Sequence, residues 1–496
     1  MVMRHTRYAK GILTALRHFA RARRSRFRAK QPEKKKILFQ SLGCPRNFVD
    51  TEVMLGLSLD QGGLEMTQEM ENADYLVLNT CGFLESARDE SKSAIQEMID
   101  TKKDSSKLIV TGCMVNLHKG QILEEYPQVD SILGSGAVDK VVETITKLDE
   151  QDAVADGDKQ QLVQSAKRRS FLEQGDTPRF IATPPHYAYL KIAEGCKKSC
   201  SFCIIPKIKG RLQSKPIPQI VNEFKGLVEY GASEVILIAQ DLGDFGKDLK
   251  KLDDDSTSPP NNLATLLKAL LASTDDPNIW IRLLYLYPDE ITPELIDILE
   301  SDPRICRYLD MPIQHSHDDM LKQMLRKTTS QDIQDTIRTL RERLPDIHIR
   351  TSLMVGFPGE TEEHFAHLLE FVKEFELENV GVFEFSDEEM AYAHKLPNHV
   401  SEDVKKDRYE RLMMTQLEII RKKNQARVDR KERIHTVVEG MQGDDVVGRY
   451  YGQCPDIDGQ VILEGNPRVY PGERYWVELT GYDEYDLIGR VVDEER

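Results

Sequence analysis

Cys196-Lys-Lys-Ser-Cys200-Ser-Phe-Cys203 is the stretch from which the rest of this 496-residue chain can be read. Thiolates suit iron–sulfur clusters. Three of them this close in sequence can wrap three corners of a cubane and leave the fourth iron open to a small chelating ligand. A structural zinc site wants four ligands, usually as two close pairs, and no fourth Cys or His lies near. The motif follows the apolar run Tyr187–Ala193. If that run is a strand of a parallel barrel, the cysteines stand at its carboxyl end, where active sites of such barrels are built.

Working outward, the rhythm of short apolar runs and helix-compatible stretches continues. Strands are expected at Glu234–Asp241, Trp280–Tyr287, Arg307–Gln314, His348–Gly356 and Val380–Ser386, with helices between them such as Ile217–Tyr230 and Glu360–Phe375. Six strand–helix units predict a parallel barrel or an open part of one. A charged stretch, Lys247–Asn262, reads as a surface loop inside it. Residues 37–147 show the same alternation and predict a parallel α/β domain. Residues 148–182 are polar and read as a linker. A charged helix over Glu402–Arg427 leads to a tail in which runs such as Ile434–Val438 and Tyr475–Leu479 alternate with turns, as in a small antiparallel barrel.

A second set of cysteines shares one address. Cys44, Cys81 and Cys113 each follow an apolar run: Ile37–Phe39, Tyr75–Leu78 and Leu108–Val110. In a parallel sheet all three emerge on the carboxyl-end rim, where ligands bind. Gly43, Gly82 and Gly112 flank them and leave room for close backbone approach. Three thiols on one rim can hold a second cluster with an open iron; three buried packing cysteines are the plain alternative. Cys306 and Cys454 have no partners at metal spacing and read as packing residues. His315 and His317 read as ordinary polar residues of a strand-end loop.

The CxxxCxxC motif with Phe202 before its last cysteine resembles the signature of the radical S-adenosylmethionine superfamily. Ser41-Leu-Gly-Cys44-Pro-Arg-Asn47, Asn79-Thr-Cys81-Gly-Phe83 and Thr111-Gly-Cys113 extend the resemblance, over about residues 37–493, to the methylthiotransferases of that superfamily. The resemblance implies two 4Fe–4S clusters, one on Cys196, Cys200 and Cys203 and one on Cys44, Cys81 and Cys113. It implies S-adenosylmethionine both as methyl donor and as the source of a 5′-deoxyadenosyl radical, and replacement of a substrate C–H bond by C–S–CH3. A one-electron donor such as flavodoxin or ferredoxin is implied too. The expected organisation is a basic extension (1–36), a methylthiotransferase amino-terminal domain (37–147), a linker (148–182), a radical S-adenosylmethionine core (183–421) and a TRAM β-barrel (422–493). For the S-adenosylmethionine pocket, Phe202, Gln240, Gly356 and Glu360 are the candidates, because they flank the motif or end strands on the same rim. Lys209 and Lys215 stand where the family commonly has arginine.

Charge bears on the substrate. The family divides mainly between enzymes that modify tRNA (the MiaB type) and enzymes that modify an aspartate of small-subunit ribosomal protein S-twelve. The chain carries a net −16, and residues 430–496 hold eight Lys or Arg against fifteen Asp or Glu. Phosphate neutralisation dominates nucleic-acid affinity, so an acidic barrel argues against tRNA and for a basic protein partner. Gly448-Arg-Tyr-Tyr-Gly-Gln-Cys-Pro-Asp-Ile-Asp-Gly459, His186–Cys196 and Ala239-Gln-Asp241 resemble the ribosomal-protein branch, although Gln453-Cys454 replaces a more usual Asp-Ala. The expected reaction is therefore radical methylthiolation of the β-carbon of that aspartate, with tRNA methylthiolation as the alternative. No run has the ~20 apolar residues of a membrane span. Residues 1–36 hold thirteen Lys or Arg and one acid, Glu33; such an arm fits a transit peptide, an RNA-touching tail or an extension irrelevant to catalysis. A cytoplasmic enzyme is expected, with organelle import by that arm as the variant reading.

Overall fold

The computed structural model describes residues 34–153, 161–164, 177–249, 260–465 and 467–493. Nearly all of the basic arm and part of the 247–262 loop lie outside them. No helix among the described residues is long and apolar enough to cross a membrane.

The first domain is a parallel six-stranded sheet: β1 (Lys36–Ser41), β2 (Glu65–Met66), β3 (Tyr75–Thr80), β4 (Lys107–Gly112), β5 (Ser131–Gly134) and β6 (Leu162–Gln164), in the order β2-β1-β3-β4-β5-β6. β3 and β4 are buried at every residue, because helices cover both faces of a sheet with crossover connections. One apolar cluster, including Ile37, Val77, Ile109 and Ile145, fills one face, and another, including Leu76, Leu78, Ile95 and Met98, fills the other. The stretch 148–182 is not simply a linker. The helix Val141–Ala153 runs into it, and β6 pairs with β5 through Ile132 and Val163. Three residues in a polar setting are too short for a pattern, but an open sheet edge recruits them through its unpaired backbone groups.

The second domain holds β7 (Tyr187–Lys191), a small antiparallel pair of β8 (Ala193–Glu194) and β9 (Gln213–Ser214), then β10 (Glu234–Ile238), β11 (Trp280–Leu283), β12 (Ile305–Asp310), β13 (His348–Val355) and β14 (Asn379–Glu384). Six of these form a parallel sheet ordered β14-β13-β12-β11-β10-β7, so the barrel is open between β14 and β7. Each expected strand is present, and most end two to four residues earlier than the apolar runs do, because their last residues turn out of the ladder to line the rim. The helix Ile217–Tyr230 lies where its period puts it and stops at Gly231, which takes φ +115°; only glycine adopts that without strain.

The helix Glu402–Asp429 crosses the expected boundary at 422 and delivers the chain to the third domain. This is a closed barrel of β15 (Arg433–Gln442), β16 (Asp445–Tyr450), β17 (Val461–Leu463), β18 (Arg474–Asp483) and β19 (Asp486–Val492), ordered β15-β16-β17-β19-β18. It docks under the second domain at the amino-terminal ends of that domain's strands. Glu234, the first residue of β10, pairs with Arg282 at 2.5 Å and with Arg449 of the barrel at 2.6 Å. The segment after β16 plugs the open barrel from below. Cys454 packs with Cys306, Tyr187, Tyr189 and Tyr308, and Asp458 accepts a 2.8 Å hydrogen bond from Tyr308 and lies 3.7 Å from Arg350. Both odd cysteines are thus packing residues.

Candidate active site

Three neighbouring strands deliver the first cysteine set. Cys44 caps the helix Pro45–Asp60 three residues beyond β1, Cys81 directly follows β3, and Cys113 opens the helix Cys113–Glu125 directly after β4. Two of the three thiols therefore sit at helix amino termini; at Cys44 backbone N–H groups favour the thiolate, whereas burial pushes the Cys113 thiol up. The loops are close-packed around the sulfurs. Gly43 has φ +87°, and a Cβ there would lie 3.0 Å from Cys81 Sγ; a Cβ on Gly82 would fall 2.7 Å from Met114 Cα. Burial pushes the Cys81 thiol up to about 12, reinforced by the charges of Cys113 and Cys44. Burial pushes Cys44 up as well, but Arg46, the Asn47 and Arg46 N–H groups and Lys209 outweigh it, and that thiol lies below its ordinary value. Three neighbouring sulfurs, with little spare space and a cation beside them, form a donor set that suits a thiolate-ligated cluster.

The second set is one loop. Cys196 N–H donates to Gly210 O at 3.2 Å, Ser201 N–H to Met324 O at 3.1 Å, and Ala393 N–H to Ser201 O at 2.8 Å, so the loop is fixed by three distant segments. Backbone N–H groups of Lys198 and Ile205 point at Cys196 Sγ and Cys203 Sγ, each at 3.4 Å. Such bonds to sulfur tune a cluster. Burial pushes the Cys196 thiol up to about 11 and the Cys203 thiol up to about 12. Cys200 lies 3.8 Å from both Tyr287 Oη and Arg326 Nη1, and the Arg326 guanidinium stacks 3.9 Å from the Tyr287 ring centre. Lys198 anchors the loop to Glu290 at 2.8 Å, Asp289 at 3.2 Å and Asp241 at 3.3 Å. Burial among Asp244 and Glu290 raises the Asp241 carboxyl to about 7 although Lys198 opposes it.

The two rims meet. Cys113 packs with Ile204, Ile208 and Ala391 in one apolar cluster. Asn116 Nδ2 donates to Ile208 O at 2.7 Å, and Arg46 Nη1 donates to Ala239 O at 2.7 Å. Behind this contact the domains share buried charges. Lys191 pairs with Asp50 and, at 2.9 Å, with Glu194, while Lys209 lies 3.4 Å from Asp50 and 3.7 Å from Glu194. Arg179 pairs with Glu52 at 2.6 Å and with Glu223 at 2.9 Å, and Lys215 also pairs with Glu223. Lys209 and Lys215, read as departures from the family, thus belong to the domain seam.

The expected S-adenosylmethionine residues divide. Phe202 packs against Met320, Met324, Phe357 and Phe385 beside the cysteines. Gln240 donates to Glu194 at 2.6 Å, and its Oε1 is buried with no hydrogen-bond partner among the described residues, as is Asp310 Oδ2 at the end of β12. The open Gln240 acceptor on the rim fits a ligand that brings donors, as the amino group and adenine of S-adenosylmethionine do, whereas Asp310 is paired through Oδ1 with Arg350 at 2.7 Å, which also faces Asp458 of the plug. Gly356 directly follows β13 with φ +75°, and the space a side chain would take there is filled by Lys405. Glu360 needs a correction. Its side chain is wholly enclosed and is consumed by the Gly356 N–H, by His315 at 3.2 Å and by Arg408 at 2.7 Å, so it closes the turn and offers nothing to a ligand. His317 is likewise local: its Nδ1 accepts the Asp319 N–H at 3.2 Å. Sequence reasoning passed over Arg46, Tyr285, Tyr287, Arg326 and Lys198. Arg46 and Lys198 carry a signal, being cations beside proposed ligands; Arg326 becomes a neighbour of Cys200 only through the fold.

An open parallel barrel with this three-thiol loop on its carboxyl rim defines a radical S-adenosylmethionine enzyme. Residues 190–372 match the Radical SAM superfamily, residues 36–134 the Uncharacterized protein family UPF0004, and residues 432–492 the TRAM domain. More particularly, the chain belongs to the RimO family of methylthiotransferases. It is 50% identical over 466 residues, 93% of either chain, to the ribosomal protein uS12 methylthiotransferase RimO of Protochlamydia amoebophila. To the protein of the same name from Chlamydia felis it is 45% identical over 470 residues, 94% of this chain and 97% of that one. The radical S-adenosylmethionine methyltransferase TsrM of Kitasatospora setae, solved with tryptophan and a cofactor analogue, superposes with a TM-score of 0.51 at 15% identity over 70% of this chain and 72% of its own; the likeness is one of fold.

Proposed function

We propose that this chain methylthiolates ribosomal protein uS12 at the β-carbon of an aspartate side chain, with S-adenosylmethionine as methyl donor and radical source. The observation that carries the reading is the meeting of two three-thiol rims in a chain that is 50% identical to a RimO over 93% of its length. Cys196, Cys200 and Cys203 would hold the cluster beside which S-adenosylmethionine binds, and Cys44, Cys81 and Cys113 would hold the other. When bound, these groups supply the hydrogen-abstracting radical and the methylated sulfur.

The chain's own residues bind, orient and exclude water. Tyr287 and Arg326 fix Cys200, and Lys198 holds the loop in place. Gln240 would offer its open acceptor to the cofactor and Phe202 would close its apolar side, while the Gly356 turn, packed against Lys405, serves the fold of the rim. Exposed acids of the small barrel, among them Asp444, Asp445, Glu464, Glu473, Asp483 and Glu484, favour a basic partner. The reductant is a one-electron protein donor of the flavodoxin or ferredoxin class.

Reconstituted protein, with dithionite and S-adenosylmethionine, is offered uS12 and bulk tRNA separately, and mass spectrometry looks for the gain of about 46 Da when SCH3 replaces H. The gain is expected on the uS12 aspartate. A gain on tRNA alone overturns the substrate and leaves the chemistry. Cys200→Ala is expected to abolish cofactor cleavage, and Cys81→Ala to retain cleavage without methylthiolation; methylthiolation by the Cys81 variant refutes the role given to the first thiol set.

A further inference from the structure

Arg46 stands between the two thiol sets. It follows Cys44 by two residues, in the first turn of the helix Pro45–Asp60. Its side chain belongs sterically to the other domain. Nη1 donates to Ala239 O, just beyond β10, at 2.7 Å, and the guanidinium carbon lies 4.8 Å from the centre of the Tyr285 ring. Tyr285 has φ +66°, a left-handed conformation that bulky residues adopt rarely and that clusters at functional sites. It is held there by its carbonyl, which accepts the Leu242 N–H at 2.9 Å. The charge of Arg46 acts on Cys44 and Cys113 on one side and on Cys203 on the other.

We propose that Arg46, seated on Tyr285, is a positioning residue that fixes the relation of the two iron–sulfur sites and favours their reduced charge state. This rests on the reading above, in which each thiol set holds a cluster. Net charge and hydrogen bonding near the sulfurs set a cluster's potential. Reduction adds one electron, supplied in the test by dithionite, and moves no atom. A guanidinium can donate to a carbonyl and stack on a ring at once, whereas lysine keeps the charge and loses that double grip. Charge and placement are therefore separable by substitution.

The test uses the full chain, reconstituted without oxygen, as wild type, Arg46→Gln, Arg46→Lys and Tyr285→Leu. Redox titration followed by electron paramagnetic resonance reads the cluster midpoints. Mass spectrometry reads the ratio of 5′-deoxyadenosine released to uS12 methylthiolated. In Arg46→Gln the reduction equilibrium of at least one cluster is expected to weaken about tenfold, a fall of about 59 mV for one electron. Arg46→Lys is expected to restore the midpoint yet waste cofactor, with a severalfold higher ratio, and Tyr285→Leu to do the same. Wild-type midpoints in Arg46→Gln overturn the proposal, as does a lysine variant whose midpoint falls as far as that of glutamine. If Arg46→Gln loses its clusters, a wild-type ratio in both Arg46→Lys and Tyr285→Leu overturns it. A wild-type chain that carries only one cluster overturns the underlying reading, and the proposal with it.

Discussion

Gly82 has no room for a side chain. A Cβ there would lie 2.7 Å from both Met114 Cα and Met114 N, and backbone cannot yield as a flexible side chain can. Gly82→Ala should push the Cys81 loop off the start of the helix that carries Cys113. The expected outcome is a protein that folds, keeps the cluster on Cys196, Cys200 and Cys203, and loses the other, so that iron and sulfide per chain fall by about half. The single-loop set is insulated from this change because its three thiols come from one stretch. The cysteines could be read from sequence because thiols have few uses at such spacings, and their shared strand-end address could be read from the apolar runs. The residues that modulate them could not. Arg326 lies 126 positions from Cys200, and no local pattern joins the two. Glu360 misled for the converse reason: a carboxylate at a strand-end turn reads as ligand-facing until its three partners are seen.

At the scale of elements, the seat of the small barrel is sensitive to acid. His348, the first residue of β13, lies half-buried with its ring edge-on to Tyr450 and Tyr451, at centroid distances of 5.3 and 5.5 Å. Burial lowers its pKa from 6.5 to about 4. Between those values the unfolded chain takes up a proton that the folded one refuses, so stability rises with pH across that window and levels off above 6.5. The contribution is at most about 3.4 kcal/mol. Glu439 adds a second window. Its partial burial pushes the carboxyl up, yet Arg449 and His186 hold it down to about 2, so its contribution is present above its ordinary 4.5 and is lost as pH falls toward 2. Thermal unfolding should show a melting temperature that drops from pH 7 to pH 5, and His348→Gln should flatten that part of the slope. Strand and helix periods revealed these elements, with the helix Ile217–Tyr230 matching residue for residue. β6 was hidden, since Leu162-Val-Gln owes its conformation to the edge of β5 and not to its own composition.

Across the whole molecule, the acidity of the tail has two destinations. Glu439, Asp458 and Glu478 are spent on partners inside the protein, and Glu484 pairs with Arg421 at 3.3 Å, while acids such as Asp444 and Asp483 face solvent. Only the second group can act on a partner, so a charge count over the tail overstates its outward field. Asp444→Lys with Asp483→Lys should raise KM for uS12 severalfold at low salt, leave kcat near wild type, and differ less from wild type as ionic strength rises. An unchanged KM at low salt would mean that these acids only keep the surface soluble.

The plug formed by Cys454 and Asp458 has a consequence for how such proteins diversify. A terminal barrel joined by a flexible tether can be exchanged between relatives like a tool on a handle. This one reaches into its neighbour, and Tyr308, Arg350 and Arg282 are shaped to receive it. A chimera cut at the end of the long helix would bring a foreign stopper to a fitted neck. New substrate preference by domain exchange should therefore succeed only when residues 450–459 and their seat travel together, so the unit that can be inherited intact is the barrel with its socket.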